Sequence, residues 1–307
     1  MATRTPTTSP SGGAPEQPAP RRSSQGAGGS SEFRSRLNTV LFYAFVAVFV
    51  AVSVAPLIWI FKMSIITRAE LYQSPPTFLP NDPVTSGYAT IFGDSTFQRA
   101  LINSVIISGA TTVICLFFGS IAAYSIARLR FRFKSTIMTL ILAISFFPAV
   151  AIIAPLFIQF SATGLIDTYF AMIIPDTVFA LPLTTWILVA FFRELPKDLE
   201  EAAKVDGAST IQAFQKVIVP LAAPGVFTAA ILTFIFAWNE YLFAATFSFT
   251  DASRPVTVAI PEFATQYTTN YGAQAAAAVA VTVPLVILVL IFQRRIVSGL
   301  TSGAVKG

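Results

Sequence analysis

A charged stretch, Glu200-Glu201-Ala202-Ala203-Lys204-Val205-Asp206-Gly207-Ala208, lies between two long apolar runs and is followed by Pro220 and Pro224. The whole chain is 54% hydrophobic and only 11% charged, whereas typical soluble domains have about 25% charged residues. This composition predicts an integral membrane protein. A charged stretch enclosed by membrane-like sequence is expected to contact another protein.

Six apolar segments are long enough to cross a membrane as helices, for which about 18 residues or more are needed. They are residues 40–61, 101–127, 135–160, 169–192, 225–247 and 275–292. The first exceeds the apolar core of a signal peptide and has no clear small-residue cleavage site after it, so it is predicted to remain as a span. The fold class is therefore predicted to be all-α and polytopic, with six transmembrane helices.

Composition also divides the chain into regions. Residues 1–31 consist mostly of Pro, Gly, Ser and Thr, a composition typical of disorder. We therefore predict a disordered tail over residues 1–35 and a transmembrane domain over residues 36–307. Within this domain, a cytoplasmic loop covers about residues 193–224 and a C-terminal tail covers residues 294–307.

The basic residues predict the orientation, because cytoplasmic loops carry an excess of Lys and Arg. With six spans, both termini lie on the same side of the membrane. All basic residues lie on that side except Lys62, Arg68, Arg99 and Arg254. Both termini and the charged stretch are therefore predicted to be cytoplasmic.

The sequence gives no indication of catalytic chemistry. It has no His and a single cysteine, Cys115, within an apolar segment. His-based triads and zinc sites are thereby excluded, and Cys115 is predicted to be a small buried apolar residue. The Gly-x-x-x-x-Gly-Lys-Ser/Thr pattern of nucleotide-binding loops is absent. We predict no catalytic residue and no metal site.

Two short helices are predicted around the charged stretch. Asp198 is expected to cap the first, with Glu201 three residues later completing a capping box. Gly207 is expected at its C-terminal end, because a left-handed residue is favoured there.

Ser209 and Gln212 form the same capping pattern for the second helix, which Pro220 and Pro224 are expected to stop. The second helix has an apolar stripe of Ile211, Phe214, Val217 and Ile218. One interpretation is an amphipathic connector that rests on its own bundle. The other is a docking element, in which the small Ala202-Ala203 face lets a partner approach closely.

The spacing resembles a known motif. Glu201-Ala202-Ala203, then Gly207 after three residues, then Val217-Ile218-Val219-Pro220 after nine more, is similar to the EAA motif of ATP-binding-cassette importer permeases. That motif usually ends in Ile-x-Leu-Pro, so Val217 and Val219 are conservative departures. Trp238-Asn239 and residues 299–307 resemble the maltose- and trehalose-type sugar permeases, specifically the smaller permease of the pair. The likeness runs from Val40 to Gly307.

The resemblance implies a type I importer fold and the function of a sugar permease subunit. The substrate would be a disaccharide or oligosaccharide such as trehalose. The resemblance also implies a bacterial cell-membrane location, with a second homologous permease, a cytoplasmic ATPase dimer, an extracytoplasmic sugar-binding protein and membrane lipid as partners, and no nucleic acid. ATP and Mg would be bound by the ATPase, and no cofactor by this chain.

The same resemblance assigns site residues. The turn that couples to the ATPase would be formed by Glu201, Ala202, Ala203, Asp206, Gly207 and Pro220. A tail that reaches the ATPase interface would include Ser302, Gly303 and Lys306.

Polar residues inside the apolar segments are candidates for a substrate path. Asp176 and Glu240 would each cost about 2.5–3.5 kcal/mol to insert, so they are expected to function in transport or to form a hydrogen-bonded contact between helices. Trp238, Asn239 and Glu240 offer the aromatic, amide and carboxylate groups that a sugar site needs. Helix interruptions are expected at Pro148, Pro155, Pro175 and Pro182.

Three other functions remain open from the residues alone. The first is a permease of the same fold for a non-sugar solute, such as an amino acid or an oxyanion. The second is a stand-alone secondary carrier or channel, which would transport without ATP. The third is a purely structural membrane anchor, which would have no ATPase partner.

Overall fold

The structure, a computed structural model, describes residues 28–264 and 270–302, with side chains described over residues 36–264 and 270–293. This part of the chain forms helices joined by turns, without β-strands, and the predicted all-α class is confirmed. Most of the predicted disordered tail, residues 1–27, lies outside the described residues.

The helices in chain order are α1 Gly28–Ser64, α2 Arg68–Leu71, α3 Ser86–Gly93, α4 Ser95–Arg128, α5 Lys134–Ile144, α6 Ala149–Thr163, α7 Phe170–Glu194, α8 Asp198–Val205, α9 Thr210–Ala213, α10 Val219–Leu221, α11 Ala223–Trp238, α12 Leu242–Phe247, α13 Val256–Ala259 and α14 Tyr271–Ser302. A π-helical turn, Phe214–Ile218, joins α9 to α10, and a 3₁₀ turn, Ile260–Phe263, follows α13.

Four continuous helices have the length and composition of membrane spans: Arg36–Ser64, Ser95–Arg128, Phe170–Glu194 and Tyr271–Gln293. Two further helix pairs pass the same test together but are bent. Lys134–Ile144 meets Ala149–Thr163 at 81°, and Thr210–Leu221 meets Ala223–Trp238 at 77°. Over the described residues the number of spans is therefore four, or up to six if each bent pair is one span, which accommodates the predicted six.

The third span is not the continuous helix that the apolar run predicts. The chain leaves the helix at Ser145 and resumes at Ala149, because Pro148 has no N–H and disfavours a helical conformation at the residue before it. The last turn tightens to i→i−3 bonds, with the Phe147 N–H 3.0 Å from the Ile144 carbonyl. The expected interruptions at Pro155, Pro175 and Pro182 are wrong, since these prolines lie inside α6 and α7.

The fifth predicted span, residues 225–247, is also divided. Its helix ends at Trp238, three residues at 239–241 are not helical, and α12 begins at Leu242. Polar residues therefore interrupt the apolar run near its C-terminal end.

The chain divides into two compact units, Met1–Pro56 and Leu57–Gly307. In the first unit, α1 begins at Gly28, inside the stretch predicted to be a disordered tail, and all the side chains described there are exposed. An apolar helix exposed all round is suited to a lipid environment.

The core of the second unit is built from α4, α7 and α11, which pack against one another. Buried residues of all three helices form one cluster, among them Ile126, Leu188 and Ala229. Between α7 and α11, the hydroxyls of Thr184 and Thr233 lie 2.6 Å apart and are buried. Close helix packing with polar contacts of this kind is typical of membrane bundles.

Gly225 permits a close approach between α7 and α11. A Cβ placed on Gly225 would overlap the ring of Phe191. Gly225→Ala should therefore lower the free energy of unfolding by about 1–3 kcal/mol, the usual cost of overpacking. Thermal unfolding in detergent measures this. Gly109→Ala, where a Cβ meets nothing within 4 Å, is the control and should unfold at or slightly above the wild-type temperature.

Candidate functional site

The charged stretch forms α8 and a left-handed turn that closes it. Gly207 has φ of 86°, the conformation that favours glycine. The Gly207 N–H donates to the Lys204 carbonyl at 3.0 Å, and the Ala208 N–H donates to the Ala203 carbonyl at 2.9 Å. These two bonds make a complete Schellman motif. The predicted role of Gly207 in ending the helix is confirmed.

The predicted cap at the other end of α8 is wrong. Lys197, not Asp198, is the N-cap residue, and no side chain caps it. Lys197 already has helical dihedral angles, so Asp198 lies within the first turn. Its carboxylate, together with those of Glu200 and Glu201, is placed near the positive end of the helix dipole.

The second predicted helix begins as expected. The Gln212 N–H donates to Oγ of Ser209 at 3.3 Å, and the Ser209 N–H donates to Oε1 of Gln212 at 2.8 Å. This is a complete capping box.

Pro220 does not stop the second helix, contrary to the prediction. A π-helical turn precedes it, in which the Val219 N–H bonds to the Phe214 carbonyl. Pro220 then falls at the start of α10, where its missing N–H costs little. Pro224 lies in the same way at the start of α11. Both prolines begin helices, and the chain runs helically to Leu221.

The burial of its side chains distinguishes the two interpretations of this loop. In the second helix Ile218 is fully buried, and the ring centroids of Phe214 and Tyr124 lie 4.8 Å apart. That helix is thus a connector resting on its own bundle, although Ile211 is 66% exposed and does not join the stripe.

The α8 turn, in contrast, faces outward. Glu201, Ala202, Asp206 and Gly207 are exposed and Ala203 is half-buried, while the apolar Val205 is 87% exposed. An exposed apolar side chain at a rigid, charged turn is suited to contact with another protein, but docking itself stays a prediction.

Glu200, which is not among the predicted coupling residues, attaches α8 to the bundle. It is buried at 7% exposure and accepts hydrogen bonds from the Tyr124 hydroxyl at 2.9 Å and from Nζ of Lys204 at 2.7 Å. At the same corner, the Arg128 guanidinium donates to the Leu195 carbonyl at 2.7 Å. Both contacts join the loop to the C-terminal end of α4.

The charge of Glu200 is maintained at ordinary pH. Burial alone raises the pKa of Glu200, but the bonds from Lys204 and Tyr124 outweigh burial and hold the pKa below its ordinary value of 4.5. Because the folded-state pKa is depressed, the stabilisation is fully present above about pH 4.5 and is lost as the pH falls through the lower folded-state pKa.

At the other end of the bundle, Asp167 ties two loops together. Its carboxylate accepts hydrogen bonds from the N–H groups of Phe249 and Thr250 at 2.9 and 3.0 Å. It also accepts from the hydroxyls of Thr250 and Ser253 at 2.6 and 2.7 Å. Burial raises the pKa of Asp167, but these bonds more than offset it and leave the pKa below its ordinary value. Asp167 has φ of 62°, so a non-glycine residue accepts a strained conformation to make this contact.

Asn103 joins the same end to α4. It is 1% exposed, and its Nδ2 donates to the carbonyls of Asp251 and Arg254 at 3.1 and 2.8 Å. Its Oδ1 accepts from the Tyr169 hydroxyl at 2.7 Å. Asn103 therefore links α4, the start of α7 and the loop that follows α12.

The four candidate path residues do not form one open site. Trp238 is 5% exposed and stacks on Phe234, with 5.5 Å between ring centroids, so its ring is not presented as a platform for a sugar. Asp176 is 1% exposed, and neither carboxylate oxygen has a hydrogen-bond partner among the described atoms. Asn239 is exposed.

Glu240 has a structural task at the break in the fifth span. Its two carboxylate oxygens accept hydrogen bonds from the N–H groups of Phe243 and Ala244, at 2.8 and 3.0 Å. It thereby caps the N-terminus of α12. The Glu240 carboxylate therefore bonds to its own segment and does not make the expected hydrogen-bonded contact between helices.

The remaining site predictions concern the C-terminal tail and metals. Ser302 ends α14, whereas Gly303 and Lys306 lie outside the described residues. The tail predicted over 294–307 is thus helical as far as Ser302. Within the parts of the chain that are described, no group of three or more His, Cys, Asp or Glu is arranged to hold a metal ion.

These features, an all-helical bundle with helices of membrane-spanning length and an exposed charged turn, define a polytopic membrane protein. Residues 115–302 match the family of binding-protein-dependent transport system inner membrane components. That match covers more than half of the 307 residues, so the chain belongs to this family. It is a multi-pass bacterial membrane protein and the transport subunit of an importer.

Comparison with individual proteins agrees. The chain is 47% identical to the trehalose transport system permease protein SugB of Mycobacterium tuberculosis over 260 residues, 84% of this chain and 94% of that protein. It is 38% identical to the trehalose/maltose transport system permease protein MalG of Thermococcus litoralis, covering 82% and 91% respectively. A solved bacterial ABC transporter that imports alginate has the same fold, with a TM-score of 0.74 at 24% identity, over 85% of this chain and 97% of that one.

Tyr124→Phe tests the attachment of α8. The change removes one hydroxyl from a buried carboxylate and keeps the ring, so we expect a loss of about 1–3 kcal/mol in the free energy of unfolding. Amide hydrogen exchange over residues 200–205 should become faster. Tyr72→Phe, at a side chain that is 74% exposed, is the matched control. Unchanged exchange in α8 would show that Glu200 does not depend on Tyr124.

Proposed function

We propose that the chain is the permease subunit of an ATP-driven importer for a disaccharide or oligosaccharide, with trehalose as the first candidate. The observation that carries the substrate class is the similarity to SugB over nearly the whole transmembrane domain. A second relative, 41% identical over 252 residues, is the sulfoquinovosyl glycerol permease SmoH of Agrobacterium fabrum, so relatives with different sugar substrates share this scaffold.

The proposed assembly contains a second homologous permease, a cytoplasmic ATPase dimer that binds ATP and Mg, and an extracytoplasmic sugar-binding protein. Support for the last comes from the alginate ABC transporter, which has been solved in complex with an oligosaccharide-bound periplasmic protein and has the same fold, with a TM-score of 0.63. In this proposal ATP is hydrolysed by the partner, and this chain contributes half of the translocation path.

The proposed orientation places both termini and α8 in the cytoplasm. The contacts of the bundle support it, because Arg128 and Leu195 meet at one end, and the loops flanking them carry most of the basic residues outside the termini. Asp167 and Thr250 meet at the other end, where basic residues are few. The external loops there, residues 248–272 in particular, would face the binding protein.

Coupling is proposed to occur through the α8 turn. Glu201, Ala202, Ala203, Asp206 and Gly207 would contact the ATPase. Glu200 of α8 is hydrogen-bonded to Tyr124 of α4, and Arg128 of α4 is hydrogen-bonded to Leu195, just before α8. Because of these two contacts, a displacement of α8 would move α4 rather than bend a loose loop. Pro220 contributes by starting α10, and the tail containing Ser302, Gly303 and Lys306 is proposed to reach the ATPase interface.

The proposed substrate path passes the break between α11 and α12. Asn239 is exposed and lies beside Glu240 at the break between α11 and α12, so these two residues are proposed to line it. Trp238 and Asp176 are buried in this conformation, and their contact with substrate would require α7 and α11 to move apart during transport.

Deletion of the gene tests the substrate. Uptake of labelled trehalose should be lost and should be restored by the wild-type gene. Labelled maltose, sulfoquinovosyl glycerol and an amino acid are measured in parallel. If trehalose uptake persists while another of these is lost, the transporter assignment stands and the sugar assignment is wrong.

Gly207→Val tests the coupling turn. A β-branched residue in the left-handed region costs about 1–2 kcal/mol, so the Schellman turn should open and uptake should fall by about fivefold or more. Gly207→Asn is the matched control, because Asn tolerates that conformation and should retain most of the activity. Membrane insertion is checked by immunoblot and ATPase association by co-purification. Full uptake in the Val variant would contradict the coupling role.

A further inference from the structure

The corner between α4 and α5, Arg128-Leu129-Arg130-Phe131-Arg132-Phe133-Lys134, has four cations in seven residues. Nothing acidic occurs from Arg128 to Ile144. Arg130 and Arg132 are exposed and take part in none of the ion pairs found in the described part of the chain. Nζ of Lys134 lies 5.5 Å from the centroid of the Phe131 ring. The two exposed arginines are thus a concentrated positive charge without an ion-pair partner among the described residues.

An apolar stripe begins at this corner and follows α5. Phe133, Ile137, Leu140 and Ile144 are 63%, 38%, 62% and 42% exposed, and their spacing places them on one face of the helix. No residue of α5 is buried. The cations therefore lie at one end of an uncovered apolar surface.

From this juxtaposition we propose that the corner and the α5 stripe bind an anionic phospholipid, with Arg130 and Arg132 on the phosphate and the stripe along the acyl chains. A phospholipid has both parts in the required order, a negative headgroup at the membrane surface and apolar chains running inward. Free phosphate could use the cations but not the stripe.

The bound lipid also acts on the coupling turn. Arg128, the first residue of the corner, donates to the carbonyl of Leu195, three residues before α8. A lipid that orders the corner therefore also restricts the motion of the residues just before α8. This consequence rests on the proposed function, whereas lipid binding by the corner does not.

The experiment uses the full chain in its complex, purified into nanodiscs of phosphatidylcholine with and without phosphatidylglycerol. Native mass spectrometry counts the phosphatidylglycerol retained by wild type, by the double variant Arg130→Gln/Arg132→Gln and by Phe133→Ser. Arg99→Gln is the matched control, because Arg99 is also exposed but lies near the opposite end of α4. Inorganic phosphate is added in a separate arm.

We expect the affinity for phosphatidylglycerol to fall by about fivefold for each arginine removed, to fall in Phe133→Ser, and to be unchanged in Arg99→Gln. Equal retention by the double variant and wild type would overturn the proposal. So would displacement of the lipid by millimolar phosphate, which identifies a plain anion site, or loss of the second permease from the double variant, which identifies a protein interface. ATPase activity in the two lipid mixtures then tests the link to α8 separately.

Discussion

A bilayer offers no water to the backbone, and this constraint governs the rest of the molecule. Each N–H and C=O within the hydrocarbon must be satisfied inside the protein, which leaves helices as the elements and makes every interruption costly. The break after Trp238 shows how the cost is met, because the carboxylate of Glu240 accepts the free N–H groups of Phe243 and Ala244. At the break before Pro148, the backbone N–H groups are satisfied by i→i−3 hydrogen bonds.

Given rigid helices, α4 can connect the two ends of the bundle. Near its N-terminus Asn103 holds the loop that carries Asp251 and Arg254, and near its C-terminus Tyr124 holds Glu200 of α8. Along a helix these two positions are about 32 Å apart, at 1.5 Å per residue. A single packed element thus contacts both the predicted external loops and the predicted coupling turn, which suits a subunit that must relate events on two sides of a membrane.

Local signals in the sequence predicted local structure well, and they failed where the preceding backbone decided the outcome. The predictions for Gly207 and for the Ser209–Gln212 capping box are confirmed. Both features are helix caps, which depend only on residues a few positions away. Asp198 was expected to be a cap, but Lys197 enters the helix one residue earlier. Pro220 was expected to stop a helix. The turn before it is π-helical, with an i→i−5 hydrogen bond from Val219 to Phe214 in place of the usual i→i−4 bond, and the chain continues helically past Pro220.

The sequence alone determined that the protein lies in a membrane, about how many times it crosses, and where its charged turn falls. These properties follow from the length of apolar runs and from charge, which need no folded chain. Only the tertiary structure decided which polar groups meet. Glu200 finds Tyr124 across 76 residues, and Asn103 finds the Asp251 carbonyl across 148. Such partners depend on how helices pack, and the periodicity of one segment carries no information about the segment that will cover it.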